Sequence, residues 1–145
     1  MSLIAAVLIF GLIILIHEFG HFLFAKLSGI GVLEFSLGMG PRLFSFKKGE
    51  TRYSFKILPF GGSCMMLGEE EDEASPSAFG NKPVWARISV VAAGPVFNFL
   101  LAFFLAMALV AMTGYTKAQV AGVEEGYPAL EAGIEEGDLV TKING

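Results

Sequence analysis

The sequence is poor in charged residues and in cysteine and histidine, two side chains that commonly bind metals or react. Only 17% of its 145 residues are charged, and it has one cysteine and two histidines. A single cysteine cannot form an internal disulfide, which excludes a disulfide-rich scaffold. The formal net charge of −4 provides no basic face for nucleic acid. Hydrophobic residues make up 54% of the chain, which excludes disorder throughout and is typical of a membrane protein.

Two apolar segments are long enough to cross a membrane. Segment 3–25 is apolar except for His17, Glu18 and His21, and as a helix it would reach about 34 Å across about 30 Å of hydrocarbon. A signal peptide is the alternative, but no basic region precedes the segment and no small-residue cleavage site precedes its polar residues. Segment 88–112 contains no charged residue. We predict an α-helical integral membrane protein with two transmembrane helices.

The distribution of lysine and arginine predicts the orientation of these helices. Eight of the ten basic residues lie between the two apolar segments or at their adjoining ends. The positive-inside rule therefore places the connecting loop in the cytoplasm and both chain ends outside. The predicted organisation has four parts: a first transmembrane helix at 1–26, a cytoplasmic-side loop at 27–87, a second transmembrane helix at 88–113, and an extracytoplasmic segment at 114–145.

The sequence of the connecting loop predicts a β-hairpin followed by a polar linker. Alternating residues favour strands at 42–47 and 51–58 around a turn at 47–50. The pattern breaks at 59–62. An acidic run at 69–76 is best interpreted as a solvated linker, since it lacks the glycine and the spacing of a calcium loop.

The last part of the chain has the pattern of a small mixed domain. Short strands are predicted at 118–123 and 139–143, with a helical turn at 129–132. A folded domain would hardly end just after a strand, so we expect this chain to be part of a longer protein.

The candidate chemistry lies in the pentapeptide 17–21. His17 and His21 are four residues apart, which on a helix places both imidazoles on one face, where they can bind one Zn²⁺. Glu18 directly follows His17, which is the place of the general base in the H-E-x-x-H arrangement. Ionisable residues within a membrane span are costly, which favours a function over snorkelling at a helix end. A catalytic zinc ion takes three protein ligands, and the second apolar segment contains no histidine or carboxylate to supply the third.

The depth of the motif also has a consequence. Fourteen apolar residues precede His17, so it lies about 21 Å from the outer surface, in the cytoplasmic half of the membrane. Hydrolysis there needs a water-containing cavity enclosed by protein. Two helices cannot enclose one, so we expect further spans.

Five segments resemble, in order, the motifs of one family. They are 17–22, 35–41, 59–62, 94–99 and 127–138. Over essentially its whole length the chain resembles the N-terminal part of the site-2 protease family of intramembrane zinc metalloproteases, in particular its bacterial RseP-type members.

The resemblance implies roles for individual residues. His17 and His21 are zinc ligands, and Glu18 is the catalytic base. Asn98 and Gly94 are substrate-binding residues, although Asn98 could instead form a hydrogen bond between helices. The third ligand is an Asp in a later membrane helix, beyond residue 145, so this chain alone is expected to be inactive.

The resemblance also implies a setting. The hairpin is a membrane-associated β-element that presents an edge to unwound substrate, and 114–145 is the start of an α+β PDZ domain. Ser63 and Cys64 depart from the family's usual pattern, in which an aromatic residue commonly follows the two glycines of the loop turn. The implied substrate is a single-pass membrane protein in the bacterial plasma membrane, such as an anti-sigma factor or a remnant signal peptide.

The implied activity is hydrolysis of a peptide bond within a substrate's membrane helix. Two other classes are alternatives: a catalytically inactive membrane scaffold that presents a PDZ domain, and a metal or proton transporter that uses the histidines and glutamate as a relay.

Overall fold

The fold comprises two long helices and a long β-hairpin between them, followed by a short helix. This computed structural model describes residues 2–69, 73–114 and 118–142. In chain order the elements are α1 (Ser2–Leu27), β1 (Val32–Lys48), β2 (Thr51–Met66), a 3₁₀ turn (Phe79–Asn81), α2 (Val84–Thr113) and α3 (Pro128–Glu131). The chain divides into two units, 1–104 and 105–145.

Helices α1 and α2 confirm the two predicted apolar helices. Each is long and apolar enough to cross a membrane. Among the residues of α2, all of which the structure describes, Val90, Ala93 and Gly94 are buried. The helices of a soluble core bury most of their apolar side chains, whereas Phe99 and Met112 are 77% and 86% exposed. These exposed side chains are suited to contact lipid or other apolar helices.

The two helices approach each other closely at one point, and a glycine permits this approach. A Cβ atom at Gly20 would lie 2.6 Å from the carbonyl oxygen of Ala93, which is shorter than any van der Waals contact. Small residues allow the backbones of membrane helices to meet in this way. The contact brings the histidine motif of α1 against the buried part of α2.

The hairpin is longer than the sequence pattern predicts. Strands β1 and β2 pair as an antiparallel hairpin joined by Gly49 and Glu50, so the predicted turn is confirmed. The predicted strand limits at 42–47 and 51–58 are too short, and the predicted break at 59–62 is wrong, because β2 continues to Met66. Partners from the start of β1 keep this part of β2 extended, and Gly61, with φ of +85°, supplies a conformation that other residues rarely adopt.

The sheet is folded back on itself. Residues 34–37 lie opposite 62–65 on one side and opposite 52–55 on the other, whereas 44–47 pair with the outer side of 52–55. The segments therefore follow the order 62–65, 34–37, 52–55 and 44–47. One edge of the sheet is formed by the end of β2 and the other by the tip of the hairpin.

A small apolar core holds this sheet against the helices. It consists of five buried residues, Ala25, Ile30, Val32, Met66 and Val90. They come from the end of α1, the connection that follows it, the start of β1, the end of β2 and the first turns of α2. The edge segment at the end of β2 is therefore fixed next to the histidine motif.

A buried carboxylate joins distant parts of the hairpin. Glu34 is 6% exposed and forms ion pairs with Arg42 and Lys56, the second at 3.8 Å between Lys56 Nζ and Glu34 Oε1. The Arg42 guanidinium also donates from Nε to Glu34 Oε1 at 3.2 Å. The hydrogen bond from Arg42 holds the pKa of Glu34 below its ordinary value of 4.5.

After the end of α2, the described residues of the unit at 105–145 contain little regular structure. Gln119 and Leu139 form an isolated antiparallel bridge, and Val120 N–H donates to Asp138 O at 2.9 Å. The strands predicted at 118–123 and 139–143 are thus reduced to one bridge among the described residues, and residue 143 lies outside them. The predicted helical turn is present, one residue earlier, as α3. The PDZ domain stays a prediction.

We predict that Glu34→Gln loosens the sheet, because the substitution leaves two cations without their carboxylate. The free energy of unfolding should fall by about 1.5–3 kcal/mol, the range of hydrogen bonds to charged groups. This fall is measured as faster amide hydrogen exchange at 34–37 and 42–47, with Glu50→Gln at the exposed turn as control. Because the pKa of Glu34 is lowered on folding, its stabilisation is present above about pH 4.5 and lost as pH falls through the lowered value. Equal exchange in the two variants would contradict this role.

Candidate metal centre

The two histidines predicted to bind zinc face each other on one side of α1. His17 and His21 lie one turn apart, with ring centroids 4.8 Å apart and planes at 80°. Both residues are half-buried. The helical spacing that the sequence predicts is therefore present, and the rings are close enough to share a ligand.

The Nε2 atoms of both rings converge on the same point of α2. A Cβ atom at Gly94 would clash with Nε2 of His21 and lie 2.8 Å from Nε2 of His17. The missing side chain thus leaves a space that both nitrogens border. Any residue larger than glycine would fill it. The family resemblance implies a substrate contact for Gly94, which stays a prediction. In the structure Gly94 lies beside the imidazoles.

The far nitrogen of each ring is held by α2. Nδ1 of His21 lies 2.8 Å from the carbonyl oxygen of Val90. Nδ1 of His17 lies 3.2 Å from the side-chain amide of Asn98. Zinc-binding histidines typically donate the N–H of their second ring nitrogen to an oxygen, and His21 can do so to the carbonyl of Val90. For Asn98, the interhelical hydrogen bond is the alternative that the structure shows.

Glu18 lies beside the edge of the sheet. Its Cγ atom lies 3.0 Å from the position that a Cβ of Gly62 would occupy. Glu18 and His21 both line a cavity of about 670 Å³, together with 62–66 of the hairpin, 67–69 after it, and Val90 and Val91 of α2. The part of the hairpin next to Glu18 is thus 62–66, and the predicted edge at 42–58 does not line this cavity.

The residues present fit a zinc ion as two of its ligands. Two imidazoles border a shared space, each with its other nitrogen anchored, and neutral imidazole is a preferred donor for zinc. The described residues contain no group of three histidine, cysteine or carboxylate side chains that could hold a metal. A third ligand from a later part of the protein stays a prediction.

Cys64 lines the same cavity but is kept uncharged. Burial raises the pKa of its thiol to about 12, and the carboxylates of Glu18 and Glu69 act in the same direction. At neutral pH the side chain is therefore a small apolar wall residue.

Comparison with known sequences identifies the family. The model of peptidase family M50 matches residues 5–142, which is nearly the whole chain. The chain belongs to peptidase family M50. The match includes the H-E-x-x-H motif and every residue of α2 that contacts it.

Curated relatives of this M50 chain carry protease names. A protein of Clostridium perfringens named "Putative zinc metalloprotease" is 46% identical over 100% of this chain and 43% of its own length. A protein of the same description from Thermotoga maritima is 38% identical over 99% of this chain and 30% of its length. The regulator of sigma-W protease RasP of Bacillus subtilis is 29% identical over 99% of this chain and 54% of its length. The chain thus spans about half or less of each of these relatives.

We predict that Gly94→Ala abolishes zinc binding while the helices remain folded, because the added methyl group occupies the space between the two Nε2 atoms. Zinc content of the purified full-length protein measures this. Ala92→Ser also adds one heavy atom to α2, but at an exposed position, and should leave the zinc content unchanged. Stoichiometric zinc in the Gly94→Ala protein would show that the metal lies elsewhere.

We also predict slow alkylation of Cys64. At about pH 8 the folded protein should react with iodoacetamide on the order of 10³-fold more slowly than the unfolded chain, in which the pKa of a thiol is about 8.5. Mass spectrometry of the peptide containing Cys64 gives both rates. Similar rates in the two states would mean that the thiol is not buried as described.

Proposed function

We propose that this M50 chain is the N-terminal part of an intramembrane zinc metalloendopeptidase that cleaves a transmembrane segment of a membrane-protein substrate. The observation that carries the proposal is the convergence of His17 and His21 on the space above Gly94, with Glu18 on the adjoining cavity. The protease names of the relatives support it.

Each residue of the motif has a separate role in this proposal. His17 and His21 hold the zinc ion, which when bound supplies Lewis-acid chemistry by polarising the scissile carbonyl and making water near it more acidic. Glu18 accepts a proton from the attacking water at its carboxylate and passes it to the leaving amine. The cavity beside Glu18 gives water and a substrate backbone access to this carboxylate.

The edge of the sheet next to Glu18 suits an extended substrate. Residues 62–66 form an edge segment and line the cavity that Glu18 borders. A substrate helix has to unwind before its carbonyls can be attacked, because they are otherwise held by backbone hydrogen bonds. An unwound segment can then pair with a sheet edge. We propose 62–66 as this edge, in place of 42–58.

The remaining parts of the proposal depend on the whole protein. The third zinc ligand is proposed to be an Asp in a membrane helix beyond residue 145, and this chain alone to be inactive. The protein is proposed to lie in a bacterial plasma membrane, with both chain ends outside, loop 27–87 in the cytoplasm and an outer PDZ domain beginning in 114–145. The proposed substrates are single-pass proteins, either an anti-sigma factor, in line with the name of the Bacillus relative, or a remnant signal peptide.

We predict that Glu18→Gln reduces cleavage by at least about 10²–10⁴-fold, the usual contribution of a general base, while zinc stays bound. His17→Ala should lose both cleavage and zinc. The assay uses the full-length protein in proteoliposomes with a single-pass reporter whose helix contains Gly and Pro residues.

Two comparisons complete this experiment. Glu124→Gln, the same chemical change at an exposed position, should cleave like the wild type. A zinc chelator should stop wild-type cleavage, and added zinc should restore it. Undiminished cleavage by Glu18→Gln would show that Glu18 is not the base. Cleavage that a chelator does not change would show that zinc has no part in the reaction.

A further inference from the structure

The orientation of each imidazole decides whether it can bind a metal through Nε2. A neutral imidazole carries its proton on one nitrogen, and the other nitrogen has the lone pair that a metal needs. Both Nε2 atoms border the space above Gly94. Each ring therefore has to carry its proton on Nδ1, and something on α2 has to accept that proton.

For His21 the acceptor is already in place. The carbonyl oxygen of Val90 lies 2.8 Å from Nδ1 and can only accept a hydrogen bond. His21 therefore donates from Nδ1, and its Nε2 presents a lone pair to the shared space. The backbone of α2 fixes the ring without the help of any side chain.

For His17 the partner is a side-chain amide with two possible orientations. Nδ2 of Asn98 lies 3.2 Å from Nδ1 of His17. In that orientation the amide donates to Nδ1, so the proton of the ring would lie on Nε2. Oδ1 of Asn98 is then buried with no hydrogen-bond partner among the described residues. A half-turn of the amide exchanges the two atoms. Oδ1 then accepts the Nδ1 proton of His17, Nδ2 takes the other buried place, and the lone pair of Nε2 is free.

We propose that Asn98 is the positioning residue of the metal centre: its Oδ1 accepts the Nδ1 proton of His17 and thereby aims the lone pair of His17 Nε2 at the metal. Val90, Gly94 and Asn98 are spaced four residues apart on α2, so they lie on one face of the helix. The first fixes His21, the second leaves room for the metal, and the third fixes His17. Asn98 acts through His17 and does not itself bind the metal.

This inference rests on zinc ligation by His17 and His21, and it is tested by zinc affinity instead of by cleavage. Asn98→Asp keeps an acceptor and removes the donor, whereas Asn98→Leu has a similar volume and has neither. Removal of such a partner typically weakens metal binding by 10–100-fold. In the metal-free full-length protein, titrated with zinc against a chromophoric chelator, we expect this loss for Asn98→Leu and affinity within a few-fold of wild type for Asn98→Asp.

Each outcome decides the proposal. Wild-type zinc affinity in Asn98→Leu would overturn it. Equal losses of affinity in both variants would overturn it too, because they would mean that Asn98 acts as a hydrogen-bond donor or through packing alone. Ser89→Ala, which removes a hydrogen bond internal to α2, is the matched control and should not change zinc affinity. Absence of zinc from the wild type would instead refute the proposed function, so the two failures are distinguishable.

A second measurement covers the case in which Asn98→Leu does not fold. Nitrogen NMR of the histidine-labelled, metal-free wild type at alkaline pH reports which nitrogen of His17 is protonated. A protonated Nδ1 and an unprotonated Nε2, unchanged in Asn98→Asp, support the proposal. A protonated Nε2 in the wild type would overturn it.

Discussion

The candidate metal centre depends on the absence of a side chain at Gly94. Two imidazole rings one helical turn apart can share an ion only if the facing helix leaves room between their inner nitrogens. A single methyl group at this position would occupy that room. The features around it, namely the close crossing of α1 and α2 and the anchoring of both rings by α2, all place the histidines against this gap.

The same crossing supplies the polar contacts that the rings need in apolar surroundings. A buried hydrogen-bonding group without a partner is costly, and more so where no water can replace the partner. The contacts at Val90 and Asn98 therefore stabilise the helix pair and orient the rings at the same time. The apolar core at the end of β2 also supports the site. Val90 belongs both to that core and to the contact with His21, so the sheet and the ring are held by the same residue of α2.

The sequence predicts the parts of this site that are encoded locally. Both apolar helices, the histidine spacing and the hairpin turn follow from residues close together in the chain, and the structure contains all three. The continuation of β2 through 59–62 is not predictable from local pattern, because a segment containing Pro59 and two glycines stays extended only when residues 34–37 pair with residues 62–65. The partners of Glu34 are likewise set by how the sheet folds back.

The positions of Gly94 and Asn98 relative to the two histidines could be predicted only in part. Their spacing with Val90 on one helical face is visible in the sequence, but the backbone carbonyl that holds His21 is not a property of any residue type. Which face of α2 meets the histidines is decided by the close contact at Gly20. The family resemblance assigns the substrate edge to the hairpin at 42–58, whereas the edge next to Glu18 is 62–66, because proximity to the site comes from packing between distant segments.

The close contact at Gly20 has a consequence for protein engineering. Gly20 stands inside the H-E-x-x-H pentapeptide, at a position that the motif itself leaves open, yet the neighbouring backbone leaves no volume there for a side chain. With a larger residue at position 20, α2 would lie too far from α1 for Val90 and Asn98 to hold the two rings. Transplanting this centre into another bundle would therefore require a glycine on each helix, one that sets the distance between the backbones and one that leaves space for the ion.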